Sequence, residues 1–150
     1  MQAHNDAVTW DIYALRGPGG ARTVEQIPEG WQPPPVGTHE EVLDRLRETV
    51  PQADLSDPTW VRIRGESWLV EAALGKAPQV HDVSFYVTGD GPEPVEAVLK
   101  VTRALRITAY DTETGEILTP ESRPPVVAPP GEDEDEPRRP WWRFWGPKGE

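Results

Sequence analysis

Cysteine is absent from the 150-residue chain, which excludes disulfide scaffolds, thiolate zinc sites and cysteine nucleophiles. Basic charge is scarce, with 15 Lys and Arg against 26 Asp and Glu and a net charge of −11. A surface that acidic repels nucleic-acid phosphates and anionic lipid, because binding either needs a basic patch that displaces counterions. Histidine is limited to His4, His39 and His81, without the His-x-x-x-His or His-Glu spacing of a metal site. Long apolar runs are also missing. Nothing approaches the ~18 residues of a spanning helix, and residues 1–6 carry neither the basic region nor the apolar core of a secretory signal. The expectation is a soluble, cytoplasmic protein that requires no metal or other cofactor.

Hydrophobic residues make up 36% and Gly contributes 13, the low edge for a packed domain, so part of the chain is expected to lie outside the core. The composition changes after Leu118. Of 18 prolines, 7 fall in residues 121–150, and the stretch 124–137 includes two Pro pairs and the acidic run Glu132, Asp133, Glu134, Asp135 and Glu136. Such a stretch buries too little apolar surface to offset its ordering entropy. The expected organisation is a flexible N-terminus (1–7), one folded domain (8–118), a disordered Pro/acidic linker (119–137) and an Arg/Trp-rich C-terminal motif (138–150). Residues 1–120 hold 10 basic and 19 acidic side chains, so most of the negative charge belongs to the folded part.

Within that part, residues 8–15 alternate, with Val8, Trp10, Ile12 and Ala14 on one face and Thr9, Asp11 and Tyr13 on the other, as a half-buried strand does. Gly17-Pro18-Gly19-Gly20 ends it and opens a long irregular connection. Thr38 with Glu41 forms a capping box; Val42, Leu43, Leu46 and Val50 share one helical face, and Pro51 stops the helix. Strands are expected at 60–64, 68–74 and 82–88, the first two joined by a tight turn at Gly65-Glu66 and the last two by a longer connection, residues 75–80. A second helix follows with Asp90 as N-cap and Val95, Val98, Leu99, Thr102 and Leu105 along one side. A terminal hairpin is read at 106–110 and 116–118. The order β-α-β-β-β-α-β-β implies an α+β two-layer sandwich, a mainly antiparallel sheet with two helices on one face and a disordered C-terminal tail. The other face is then available to a partner or a second copy of the chain.

Catalytic constellations do not assemble from this pattern. The Gly17 to Gly20 stretch lacks the Lys and Ser/Thr of a phosphate loop and opens no helix, and Gly65-Glu66-Ser67-Trp68 lacks the second glycine of a nucleophile elbow. Asp111, Glu113 and Glu116 crowd one turn in which Gly115 comes too early for a calcium loop. Asp54 and Asp57 flank Ser56 before Pro58, where short polar side chains organise a connection. Glu71 alternates onto the sheet face opposite Trp68 and Val70. It and Asp111 are the only acids offered for a small enzyme, and neither has a visible partner.

The most distinctive stretch is the tail motif Arg139, Trp141, Trp142, Arg143, Phe144 and Trp145, which holds three of the seven tryptophans. Trp and Arg concentrate at interfaces, since the indole buries much area with few torsions and the guanidinium stacks or forks onto carboxylates. Three uses remain open: docking on another protein, packing back onto its own domain, or anchoring at a membrane surface, for which it has the composition of Trp-rich cationic peptides.

Trp10-Asp11-Ile12, Ser56 to Trp60, Trp68 to Glu71 and Tyr110 to Glu116 resemble a family of small stand-alone bacterial proteins, of actinobacterial type, over about residues 8–118 and not in the tail. That resemblance supplies no catalytic residues. A looser likeness, of class and not motif, is to the immunity proteins that neutralise bacterial toxins. The function expected is a non-enzymatic protein-binding domain, of immunity type, whose acidic surface occludes a basic partner. The alternative is a membrane-peripheral or scaffold-tethered protein recruited by the tail motif.

Overall fold

The computed structural model describes residues 9–89 and 91–124. Its centre is strand β1 (Trp10–Leu15), flanked on both sides by partners from far along the chain. The other elements are β2 (Gly37–Thr38), α1 (His39–Thr49), β3 (Trp60–Arg64), β4 (Leu69–Ala73), β5 (Gln79–Val80), β6 (Asp82–Thr88), α2 (Pro92–Leu105) and β7 (Thr108–Asp111). Five strands form an antiparallel sheet in the order β3-β4-β6-β1-β7, while β2 and β5 pair separately. The expected α+β class with two helices against one sheet face is what is found.

Period-two patterning sets this arrangement. Val61, Ile63, Val70, Ala72, Val83, Phe85 and Val87 are buried on the helix side, and each alternates with a more exposed neighbour. Against them α1 presents Val42, Leu46 and the C-cap Val50, and α2 presents Val95, Val98, Leu99, Thr102 and Leu105. Full burial of each such aliphatic side chain contributes about 1.5–3 kcal/mol, so these stripes are what hold the two layers together. The capping box is present in full: Thr38 Oγ1 accepts from the Glu41 N–H (3.1 Å), and Glu41 Oε1 accepts from the Thr38 N–H (2.9 Å).

Several details depart from the sequence reading. The 75–80 connection contains β5, which pairs with β2; two residues are too few to show a period. The second arm of the terminal hairpin is not a continuous strand. Leu118 still donates to Ala109 and Asp111 to Glu116, but Glu116 also bridges Thr23, so that arm is shared with the long connection. The N-cap of α2 is Gly91, with Pro92 and Pro94 in the first turn; Asp90, expected as the cap, lies outside the described residues, as do the linker from 125 and the whole tail motif.

The connection after β1 also does more than connect. Val24 and Ile27 are buried, and with partly buried Trp31 they cover Tyr13, Leu15 and Tyr110 on the face away from the helices. The Tyr110 hydroxyl donates to the Ala21 carbonyl (2.8 Å) and the Trp31 indole N–H to the Arg16 carbonyl (3.0 Å). Arg16 then fastens the end of this segment, its guanidinium donating to the carbonyls of Pro35 (3.1 Å), Leu105 and Arg106 (both 3.3 Å). Together with Arg45, which donates to the Ala104 carbonyl (2.9 Å), it satisfies carbonyl groups that the end of α2 leaves without helical partners. Three large side chains on one half of that face require a lid, and the 16–36 segment supplies it. Among the described residues, only the half built from β3, β4 and β6 stays bare.

Candidate functional site

The bare half is read most directly along the strand register. Arg62 on β3 stands opposite Glu71 on β4, Glu71 opposite Tyr86 on β6, and Tyr86 opposite Asp11 on β1. One row thus runs cation, anion, aromatic, anion across four strands. In the adjacent row Trp60 is followed by Ala73, Ser84 and Tyr13. Because Ala73 is small, the Trp60 indole leans across β4 and stacks on Tyr86, ring centres 5.4 Å apart and planes 11° from parallel. Both rings are half-buried.

Glu71 organises this aromatic pair. One of its carboxylate oxygens accepts from the Trp60 indole N–H (3.0 Å) and from Arg62 Nε (3.2 Å). A proton donor or acceptor for catalysis needs freedom to exchange its proton with a substrate, whereas this oxygen already serves two fixed donors. Asp111 is likewise structural: it is buried, and its Oδ1 accepts from the Glu113 N–H (2.8 Å) while its carbonyl accepts from Gly115 (2.7 Å). Asp54 and Asp57 receive N–H and hydroxyl bonds from Ser56 and Thr59 respectively, which hold both carboxyls below the usual range. These are turn-building roles.

Asp11 differs. Half-buried at the inner edge of the bare region, it has neither a cation nor a hydrogen-bond donor on its carboxylate among the described residues. Partial burial, reinforced by the nearby negative charge of Glu113, raises its pKa from the ordinary 3.8. Next to it the Tyr13 hydroxyl donates to Asp82 (2.5 Å). The depression between Asp11, Ser84, Tyr86 and Thr112 holds about 10 Å³, room for one water and not for an organic substrate.

Two larger clefts lie on the helix side. One of about 510 Å³, between the two helices, is lined by Arg16, Arg45, Arg106 and the α1 acids Glu41, Asp44 and Glu48, and Arg16 and Arg45 are engaged with helix carbonyls. The other, about 500 Å³, runs between Trp68, Val50 and α2, where Pro120 also lines it. Its charged residues are Glu93, Glu96, Lys100 and Arg103, two of each sign. Trp68 itself is clamped. An added Cβ at Gly65 would stand 2.1 Å from its ring, and one at Gly89 (φ +103°) 2.7 Å from the Ser67 carbonyl, so neither position accepts a side chain.

His39 places its ring nitrogens 2.6 Å from the Pro58 carbonyl and 3.3 Å from that of Ala77, and His81 Nδ1 lies 3.2 Å from the Pro33 carbonyl, so both tie loops together. Among the described residues no group of three His, Asp or Glu side chains is placed to hold a metal ion, and no helix is long and apolar enough to cross a membrane. Arg139, Trp141, Trp142, Arg143, Phe144 and Trp145 lie outside the described residues. The signal for the aromatic pair was present as two residues on the solvent-side parity of their strands, Trp60 and Tyr86; only the register joins them. Comparison of the chain with protein-family models, curated proteins and solved structures gives no match.

Proposed function

We propose that this chain is a non-catalytic protein-binding domain of the bacterial cytoplasm, whose contact surface is the bare half of the sheet. The observation that carries the reading is the Trp60–Tyr86 stack, held by Glu71 and edged by Arg62, on a face that nothing else among the described residues covers. Tyr, Trp and Arg are the residue types that dominate binding energy at protein interfaces, and a flat sheet surface suits a protein partner better than a small molecule. The excess of acid over base favours a basic partner, steered by charge and covered by occlusion as an immunity-type inhibitor covers its toxin.

The test is capture from a native-host lysate by full-length protein and by Trp60→Ala/Tyr86→Ala. A partner held by the first, lost by the second and released as salt rises supports the reading. Equal capture by both discards it. The tail motif favours a second reading, recruitment to a membrane or scaffold, since Arg139 to Trp145 combines four indole or phenyl anchors with cationic neighbours. Loss of localisation on deleting residues 138–150, with capture unaffected, selects that alternative.

A further inference from the structure

We infer that the bare sheet half is the docking site of this chain's own C-terminal segment, residues 138–150, so that a partner must displace the tail; this rests on the reading of that face as a protein-binding surface. The chemistry of the two surfaces matches. Residues 138–150 carry Arg138, Arg139, Arg143 and Lys148 against a single acid, Glu150, together with three tryptophans. The face offers an indole–phenol platform at Trp60 and Tyr86, on which a guanidinium stacks, and one strand further along Asp11 with Glu113 beside it. Two neighbouring carboxylates, of which Asp11 is half-buried and has no cation among the described residues, are stabilised by an incoming arginine.

The alternative seat for the segment, the cleft at Trp68, presents as many cations as anions and is already lined by Pro120 of the departing chain. The linker reaches. Thirteen residues, 125–137, separate Pro124 from Arg138, a span of about 46 Å fully extended and about 20 Å as a coil. A domain of this size has a radius of gyration of about 13 Å, so either face of the sheet is within range. Residues 132–136 share the sign of the acidic domain and residues 138–148 oppose it, so charge complementarity favours docking of the basic end and not of the linker. A tether of this length supplies an effective concentration of about a millimolar, so weak intrinsic affinity suffices.

The experiment compares the indole N–H resonance of Trp60, assigned by Trp60→Phe, in ¹⁵N-labelled full-length protein and in the full-length variant Arg138→Glu/Arg139→Glu/Arg143→Glu. The expected result is a displaced Trp60 signal in the variant, independent of protein concentration. Adding a synthetic peptide of residues 138–150 then returns the signal toward its wild-type position, and Asp11→Asn/Glu113→Gln weakens that peptide's binding about tenfold. An identical Trp60 signal in both proteins overturns the inference. So does a shift that grows with concentration, which assigns the face to the tail of a second copy, and so does a wild-type signal that moves only with anionic vesicles. Lysate capture by the same proteins separates the two ideas: capture lost in Trp60→Ala/Tyr86→Ala while the tail variant leaves Trp60 unmoved removes tail docking and keeps the binding surface. A tail-dependent shift with capture indifferent to the face does the reverse.

Discussion

Trp60 and Tyr86 stack with ring centres 5.4 Å apart although their strands, β3 and β6, never pair and are separated by β4. Adjacent strands lie about 4.8 Å apart, so two strand spacings separate the backbones and the side chains alone close the gap. Glu71, beneath them, is the hinge of this contact. Glu71→Ala leaves the Trp60 N–H and the Arg62 guanidinium without their acceptor and is expected to cost about 1–2 kcal/mol. Glu71→Gln keeps a carbonyl for Trp60 and loses only the partly exposed ion pair, for which less than about 1 kcal/mol is expected. Urea denaturation ranks the two, and an equal loss for both would assign the effect to charge in place of geometry.

Tyr13 is buried and donates to Asp82 (2.5 Å), and its phenol is pushed well above the usual 10.0 by burial, then by the Asp82 charge and the hydrogen bond. The folded state holds this proton more tightly than the unfolded chain, so the associated stability is complete below pH ~10 and declines as pH rises above it. Tyr13→Phe is expected to lower stability by about 1–3 kcal/mol at neutral pH, since a hydrogen bond to a charged acceptor is lost. The gap between wild type and variant should narrow in alkali, as thermal melts from pH 7 to 11 would record.

For Asp11 the sign is opposite to that of most surface acids. Its folded pKa is raised, chiefly by burial, so the folded state binds a proton that the unfolded chain releases above 3.8, and this group's contribution to stability falls as pH climbs through that window. With the tail cations removed, as in Arg138→Glu/Arg139→Glu/Arg143→Glu, Asp11→Asn should therefore stabilise at pH 7, by under about 1 kcal/mol given the exposure of the group, and should be silent at pH 3. A destabilised Asn variant at pH 7 would reveal a cation held by Asp11.

Arg106 closes α2 at φ 60°, ψ 46°, the left-handed region, and is the one residue other than glycine with positive φ among those described. Glycine adopts this conformation without the steric cost of a Cβ. Arg106→Gly should stabilise by about 0.5–1 kcal/mol, because the Arg16 bond to this position uses the backbone carbonyl, which glycine retains. Thermal denaturation of the single variant decides it.

Much of the fold could be read from local pattern. The capping box at Thr38, the alternation at Trp60–Arg64 and Asp82–Thr88 and the apolar stripe of α2 each carry their own signal within a few residues. The pairing of β2 with β5 could not be read, since two-residue strands are defined by their partners. Nor could the role of the 16–36 segment: Ile27 and Trp31 look like ordinary loop residues until Tyr13 and Tyr110 are seen to need cover. The candidate surface was visible only in pieces. The alternation of β4 puts Glu71 on the outer face, but its partners Trp60 and Arg62 follow from the register of β3 on β4, which no single strand encodes.

The position of β1 bears on the order in which the molecule is made. It is synthesised first among the strands and occupies the interior of the sheet, yet both of its neighbours, β6 and β7, are translated only after most of the domain. During translation Ile12, Ala14 and Leu15 have no sheet to join, and the β3-β4 hairpin is the largest piece of sheet that can form early. Pairing this remote in sequence slows folding, because the loop must close before the contacts reward it. Assembly of the five-stranded sheet is thus a late event, completed when β7, the last of these strands to be translated, adds to the free edge of β1.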